Sequence, residues 1–88
     1  MSTLEIIATF DSTHHALKFE KTLKESSIKL VVMPVPREIS ASCGLAVKFS
    51  IDDFEKVNEL TRNHEILVKK FYEILIENQR RVYSEKSL

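Results

Sequence analysis

The sequence predicts a small α+β domain, because segments typical of strands and of amphipathic helices alternate along its 88 residues. Four segments are rich in apolar and β-branched side chains and predict strands: residues 4–10, 28–33, 45–49 and 66–72. Two segments carry apolar side chains at helical spacing: residues 13–26 and 51–63. The resulting order, β-α-β-β-α-β, is that of the ferredoxin-like arrangement, with two helices on one face of a four-stranded antiparallel sheet.

The first half of the chain shows clear element boundaries. Residues 4–10 alternate only partly between apolar and polar side chains, which predicts a central strand that is buried on both faces. Three consecutive residues offer a side-chain oxygen that can cap the first helix: Asp11, Ser12 and Thr13. Three apolar residues then recur at helical spacing and predict the buried face of that helix: Ala16, Phe19 and Leu23.

The second half is less clear toward its end. Ser50 is a suitable N-cap for the second helix, which ends near His64 and buries three apolar residues: Phe54, Val57 and Leu60. We expect a single domain over residues 1–88, with a core of about residues 4–72. Residues 73–88 fit a strand extension, a short helix or a frayed tail, because their apolar pattern matches both periods. The five phenylalanines are predicted to be core residues: Phe10, Phe19, Phe49, Phe54 and Phe71.

Topology rules add expectations about position. We expect the first and third strands to pair in parallel at the centre of the sheet. The loop after the first strand should then lie at one end of the sheet, and the loop between the second and third strands at the other. A strand of six residues spans about 20 Å. His14 and His15 should therefore not meet Cys43 unless the long loop folds back along an edge of the sheet. Lys69 and Lys70 should mark an edge strand.

Composition excludes several classes of function. Thirteen basic and thirteen acidic residues cancel, whereas nucleic-acid binding requires a basic surface. No apolar run approaches the roughly 20 residues of a membrane span, and the N-terminus lacks the layout of a signal peptide. A single cysteine cannot form an internal disulfide. These features predict a cytoplasmic protein that partners neither nucleic acid nor membrane.

One segment stands apart from the regular elements. Residues 34–44 contain both prolines, the only cysteine and the only glycine. The prolines remove two backbone donors, so the segment is predicted to leave the second strand as an extended arm. Cys43 precedes Gly44, which permits a positive φ and close approach of another group. The reactive form of cysteine is the thiolate, which Arg37 and the backbone N–H groups around Ser42 could stabilise.

Two separated motifs stand out in the chain. The first is Ser-Thr-His-His-Ala-Leu at residues 12–17, with Glu20 and Leu23, and the second spans Pro-Val-Pro-Arg-Glu-Ile-Ser at 34–40 and Ser-Cys-Gly-Leu-Ala at 42–46. Over roughly residues 4–72, the chain with these motifs resembles the Putative Se/S carrier protein-like family. The resemblance implies that Cys43 carries sulfur or selenium as a persulfide or selenopersulfide. It also implies a donor enzyme and an acceptor protein as partners, a carrier rather than a stand-alone enzyme, and no cofactor.

Other interpretations of the same residues stay open. Cys43 could be an inert cysteine packed at the start of a strand, in a small regulatory or ligand-binding module that uses a sheet edge or the proline loop. His14 and His15 point about 100° apart on a helix. One of them could transfer protons while the other packs. Cys43, His14 and His64 could hold a metal, although the paired short spacings of a zinc site are missing, so we expect none. Arg37 and Glu38 could form only a local ion pair.

Overall fold

The computed structural model describes residues 5–39 and 44–86, which form two helices on one face of a five-stranded antiparallel sheet. The elements in chain order are β1 Glu5–Thr9, α1 Thr13–Glu25, β2 Leu30–Pro34, β3 Leu45–Ser50, a short 3-10 turn Ile51–Asp53, α2 Phe54–Asn63, β4 Lys70–Glu77 and β5 Arg80–Lys86. The strand order across the sheet is β2-β3-β1-β4-β5. The α+β class is confirmed, whereas the sheet has one strand more than predicted.

The two central strands pair in the opposite sense to the prediction. β1 and β3 are neighbours, but they are antiparallel, with Thr9 opposite Ala46. β3 is also antiparallel to β2, so β1 and β2 run in the same direction on either side of it. α1 is the crossover between these two parallel strands, and the chain returns from β2 through a hairpin that inserts β3 into the gap. A hairpin return reverses the chain, so the predicted parallel pairing was wrong.

β4 begins four residues later than predicted, at Lys70. The preceding residues 66–69 form a connection with specific backbone bonds. The Ile66 N–H donates to the Thr61 carbonyl at 2.9 Å, and the Lys69 N–H donates to the Thr9 carbonyl at 2.8 Å. An apolar run cannot reveal this, because the connection buries Ile66 just as a strand would.

The C-terminal segment extends the sheet. β4 continues to Glu77, and the chain turns at Asn78 and Gln79, whose φ angles are 49° and 65°. Two successive residues with positive φ are typical of the tight turn that joins twisted antiparallel strands. Of the three alternatives for residues 73–88, the described residues 73–86 therefore follow the strand extension, because β4 runs on and β5 follows it. β4 lies between β1 and β5, so the interpretation of Lys69 and Lys70 as edge-strand residues was wrong.

The helical face holds the main core. Ser12 caps α1 by accepting the His15 N–H at 3.4 Å. The predicted stripe on α1 is buried, and Val57 from α2 joins it against the same sheet face. Aromatic rings form a continuous chain through this layer, because Phe19 lies 5.1 Å from Phe10 and 6.1 Å from Phe49 between ring centroids. Further contacts carry the chain from Phe49 to Phe71 and from Phe71 to Phe54, so all five phenylalanines pack as predicted.

The opposite face of the sheet has a smaller apolar cluster. Ile7 and Ala46 are buried there together with Ile39, which comes from the loop between β2 and β3. Met33 and Tyr72 pack around them. The described part of this loop, up to Ile39, therefore covers part of the face that the helices leave open. In the described ranges, no helix is both long and apolar enough to cross a membrane.

Candidate functional site

Four strands end or begin at the same end of the sheet. Thr9, the last residue of β1, pairs with Ala46, and Pro34, the last residue of β2, pairs with Leu45 at the start of β3. Thr9 also pairs with Lys70, so β4 begins there as well. We call this end of the sheet, where β1 and β2 end and β3 and β4 begin, the loop edge. β1 and β2 run in the same direction, so the loops that follow them leave from this one edge, and the expectation that they lie at opposite ends was wrong.

The loop of residues 35–44 is closed at its base by a backbone hydrogen bond. The Val35 N–H donates to the Gly44 carbonyl at 3.0 Å. A second bond, from the Ile39 N–H to the Pro36 carbonyl at 3.0 Å, closes a tight turn that exposes Arg37. Ile39 then anchors the loop on the face opposite the helices. The predicted carrier thiol Cys43 and its neighbour Ser42 lie outside the described residues, and the exposed Gly44 follows them directly.

Gly44 does not take the backbone conformation that only glycine favours. Among the described residues, positive φ angles occur at four non-glycine positions and not at Gly44. A methyl group added at Gly44 would meet no heavy atom of the described residues beyond its chain neighbours within 4 Å. The backbone reason for requiring glycine, a left-handed turn, is therefore missing, and this part of the sequence interpretation is corrected. The close approach of a reactant to Gly44 stays a prediction.

Replacing Gly44 by alanine should be tolerated. We expect the free energy of unfolding to stay within about 0.5 kcal/mol of wild type or to rise slightly, because alanine restricts the unfolded chain more than glycine does. Chemical denaturation of both proteins measures this. A loss of about 2 kcal/mol or more would show that the position needs glycine after all.

The start of α1 and the residue before its cap contact the connection before β4 through a hydrogen bond and an ion pair. The Leu67 N–H donates to Nδ1 of His15 at 3.2 Å, and Lys69 Nζ lies 3.6 Å from the Asp11 carboxylate. His14 is exposed, and its ring centroid lies 5.4 Å from that of His15. Nδ1 of His15 already accepts the hydrogen bond from the Leu67 N–H. Nε2 is therefore the ring nitrogen that remains available for a further hydrogen bond or a proton transfer.

The register brings the start of α1 and the loop of residues 35–44 to the same edge. β1 and β2 are separated by β3 alone, and two strand spacings amount to roughly 10 Å. The helix lies on one face of the sheet, whereas Ile39 lies on the other. His14 and His15 therefore approach the loop edge from the side opposite to the described part of the loop. The predicted separation of one strand length, about 20 Å, assumed that the two loops lie at opposite ends of the sheet. It therefore no longer argues against proximity of the histidines to Cys43.

Charges of both signs line the loop edge. Lys70 Nζ donates to the Glu85 carboxylate at 3.0 Å, and this hydrogen bond raises the pKa of Lys70 above its usual 10.5. The ion pair is exposed, so salt screens it and it stabilises the fold little.

Within the described residues, no ion pair joins Arg37 to Glu38, which contradicts the local-pair interpretation. Arg37 is thus an exposed cation of the loop that contains Cys43.

A groove of about 500 Å³ lies beside the loop edge, between the C-terminal half of α2 and the start of β4. Thr61, Arg62 and Leu67 are among the residues that line it. None of the predicted site residues is part of its described lining. Across residues 5–39 and 44–86, no cluster of three or more histidine, aspartate or glutamate side chains is placed to hold a metal ion.

The residues that build the loop edge lie largely within the range of the chain that matches a known family. The model of a family described as Putative Se/S carrier protein-like matches residues 5–73. The chain belongs to this family. The matched range includes β1, α1, β2, β3, α2 and the first residues of β4, and it leaves out β5. Neither a curated protein nor a solved structure matches the chain.

Several contacts at the loop edge have no counterpart in the sequence interpretation. The bond from Leu67 to His15 joins residues 52 positions apart, and Asp11 meets Lys69 across a similar separation. Neither contact leaves a local pattern in the chain, because both depend on which strands become neighbours. The only available signal was an acidic residue directly after the first predicted strand, Asp11, and a basic residue within the fourth, Lys69.

Proposed function

We propose that this member of the family is a sulfur or selenium carrier that holds its cargo on Cys43. Family membership carries the proposal, since the family's description names such a role. Cys43 is the only cysteine in the chain, so it is the only thiol that could form a persulfide or selenopersulfide. The proposed function is carriage and delivery, which needs a donor enzyme, an acceptor protein and no cofactor.

The proposed loading step is an exchange at sulfur. The Cys43 thiolate attacks the terminal sulfur of a persulfide on the donor, so a new S–S bond forms as the donor's S–S bond breaks. The donor leaves as a thiolate, and Cys43 becomes a persulfide without net oxidation. Delivery reverses the roles, because a nucleophile of the acceptor takes the terminal sulfur and the Cys43 thiolate departs. A selenopersulfide donor follows the same balance, with selenium as the transferred atom.

The loop edge offers features that favour a sulfur anion. Arg37 is exposed in the same loop, and a nearby cation favours the thiolate form of cysteine. α1 begins at this edge, and no acidic side chain of its first turn opposes the positive end of its dipole. The hydrogen bond between Val35 and Gly44 fixes both ends of the loop. These features support a thiolate near neutral pH.

The finer structural and cellular assignments are part of the same proposal. The order β2-β3-β1-β4, with both helices on one face, supports a ferredoxin-like core to which β5 adds a strand. A persulfide carrier requires a reducing compartment that does not consume its thiol in disulfides, which favours the cytoplasm.

Intact-mass measurement tests the carrier function directly. Wild-type protein incubated with a small-molecule persulfide should gain the mass of one sulfur atom, and a thiol reductant should remove it. Alkylation of Cys43 before incubation should block the gain. A protein that gains no mass under conditions that load a free cysteine peptide would show that Cys43 is inert.

Replacing Arg37 by alanine should slow alkylation of Cys43 at neutral pH by about two- to fivefold, as expected for one exposed charge near a thiolate. The rate is measured against pH with a neutral alkylating agent. Arg81→Ala is the matched control, because Arg81 is also exposed but pairs with Ile76, about 20 Å along β4 from the loop edge. Added salt should reduce the difference between Arg37→Ala and wild type. Equal rates for all three proteins would remove Arg37 from the site.

The groove between α2 and β4 supports a second candidate function, a ligand-binding module with an inert cysteine. Its lining combines an exposed apolar side chain, Leu67, with Arg62 and Lys69. The two candidates separate cleanly, because a ligand in this groove should bind equally well to wild type and to protein alkylated at Cys43.

A further inference from the structure

The outer side of β2 presents backbone groups in a defined order. Val35 and Gly44 are opposite each other in the register of β2 and β3, and they are joined by the Val35 N–H. Bonded and non-bonded partners alternate along an antiparallel pair. Val31 and Met33 therefore bond to β3 as Val35 does, whereas three residues direct their backbone groups away from the sheet: Leu30, Val32 and Pro34.

Pro34 fits this assignment. Proline has no N–H, so within a sheet it is tolerated where the missing donor faces outward from an edge strand. The outward side of β2 thus offers two donors, from Leu30 and Val32, and three acceptors, from the carbonyls of Leu30, Val32 and Pro34. No strand among the described residues pairs with this side.

The two edges of the sheet differ in their protection. β5, at the far edge, carries four charged residues that discourage pairing with another strand: Arg80, Arg81, Glu85 and Lys86. β2 carries no charge between Leu30 and Pro34. Its valines are also solvent-exposed, with Val31 at 53% and Val32 at 37%. An uncharged edge with exposed β-branched side chains is a template for an added strand.

We propose that β2 is a self-association edge at which two copies of this chain pair antiparallel about a two-fold axis at Val32. The two copies of Val32 then exchange a pair of hydrogen bonds. Each Leu30 N–H donates to the Pro34 carbonyl of the second copy. All four outward donors of the two strands are satisfied, and the two five-stranded sheets become continuous.

The side chains in this register are compatible as well. The two Val32 side chains lie directly opposite each other, and each Val31 lies opposite Met33 of the second copy. Apolar and β-branched pairs opposite each other stabilise antiparallel strands. No like charges are opposed, because Lys29 faces Val35 of the second copy. One strand pair buries less area than a standard protein interface, so the dimer should be weak and concentration-dependent.

A lysine at position 32 tests the proposal. In Val32→Lys the two introduced ammonium groups would lie opposite each other, so the dissociation constant should rise by about tenfold or more relative to wild type. The matched control is Val82→Lys on the far edge, where the side chain is equally exposed at 36%. Sedimentation equilibrium from micromolar to millimolar concentration measures all three proteins, and thermal unfolding confirms that each is folded.

A proline at position 32 gives a second, independent test. The Val32 N–H is not used within the sheet, so Val32→Pro removes two bonds of the dimer and no bond between β2 and β3. We expect wild type and Val82→Lys to dimerise alike, and both position-32 variants to be monomeric at concentrations where wild type associates. The proposal is overturned if wild type stays monomeric throughout the range, or if Val32→Lys and Val32→Pro dimerise as wild type does.

Discussion

Replacing Phe19 by alanine should lower the free energy of unfolding by about 3–5 kcal/mol, because it removes a large, fully buried side chain and leaves a cavity. Phe19 joins α1 to the sheet through its edge contact with Phe10 and its tilted contact with Phe49. Small domains are stable by only about 5–15 kcal/mol. The loss therefore consumes a large part of the total stability.

The matched control lies on the same helix. Leu17 is 52% exposed, so Leu17→Ala should change the free energy of unfolding by no more than about 0.5 kcal/mol. Both variants are measured by chemical denaturation against wild type. Equal effects at the two positions would contradict the assignment of Phe19 to the core.

The helices were the most predictable part of the fold, because their signals are local. Ser12 was one of three neighbouring residues predicted as possible caps, and its oxygen accepts a backbone N–H three residues later. The stripe from Ala16 to Leu23 needs no knowledge of any other segment. Its period alone shows which side of α1 must be buried, and the structure buries it.

Strand boundaries and directions were less predictable, because they depend on distant partners. The Ile66–Lys69 run has the composition of a strand, but Lys69 is used to bond Thr9 and the ladder begins one residue later. The turn at Asn78 and Gln79 lacks the glycine that would have indicated a hairpin. The period of residues 73–77 could not by itself exclude a helix.

The placement of the candidate site was not predictable from the sequence. The sequence distinguishes residues 34–44 from the regular elements, and the structure joins the two ends of the loop that follows β2 by the bond from Val35 to Gly44. The missing information was the relative direction of the strands. Because β3 inserts between β1 and β2, these two strands run in the same direction. The start of α1 and this loop, which follow β1 and β2, therefore lie at the same end of the sheet.

Replacing Cys43 by serine should abolish loading with sulfur or selenium, because a serine hydroxyl cannot accept the transferred atom by exchange at sulfur. Intact mass after incubation with a persulfide should show no gain, and transfer to an acceptor should fall to background. Cys43→Ala is the companion variant, since it removes the hydroxyl as well. Both should behave alike if the thiol is the only reactive group.

The same variants separate a carrier thiol from a structural one. A carrier thiol has to be reached by a donor and an acceptor, so it contributes no buried contact. Cys43→Ser and Cys43→Ala should therefore unfold within about 0.5 kcal/mol of wild type. A loss of about 2 kcal/mol or more in Cys43→Ala would identify a packed side chain instead. In that outcome, Cys43 of the wild type would be too buried to meet a donor, and the groove beside α2 would become the better candidate site.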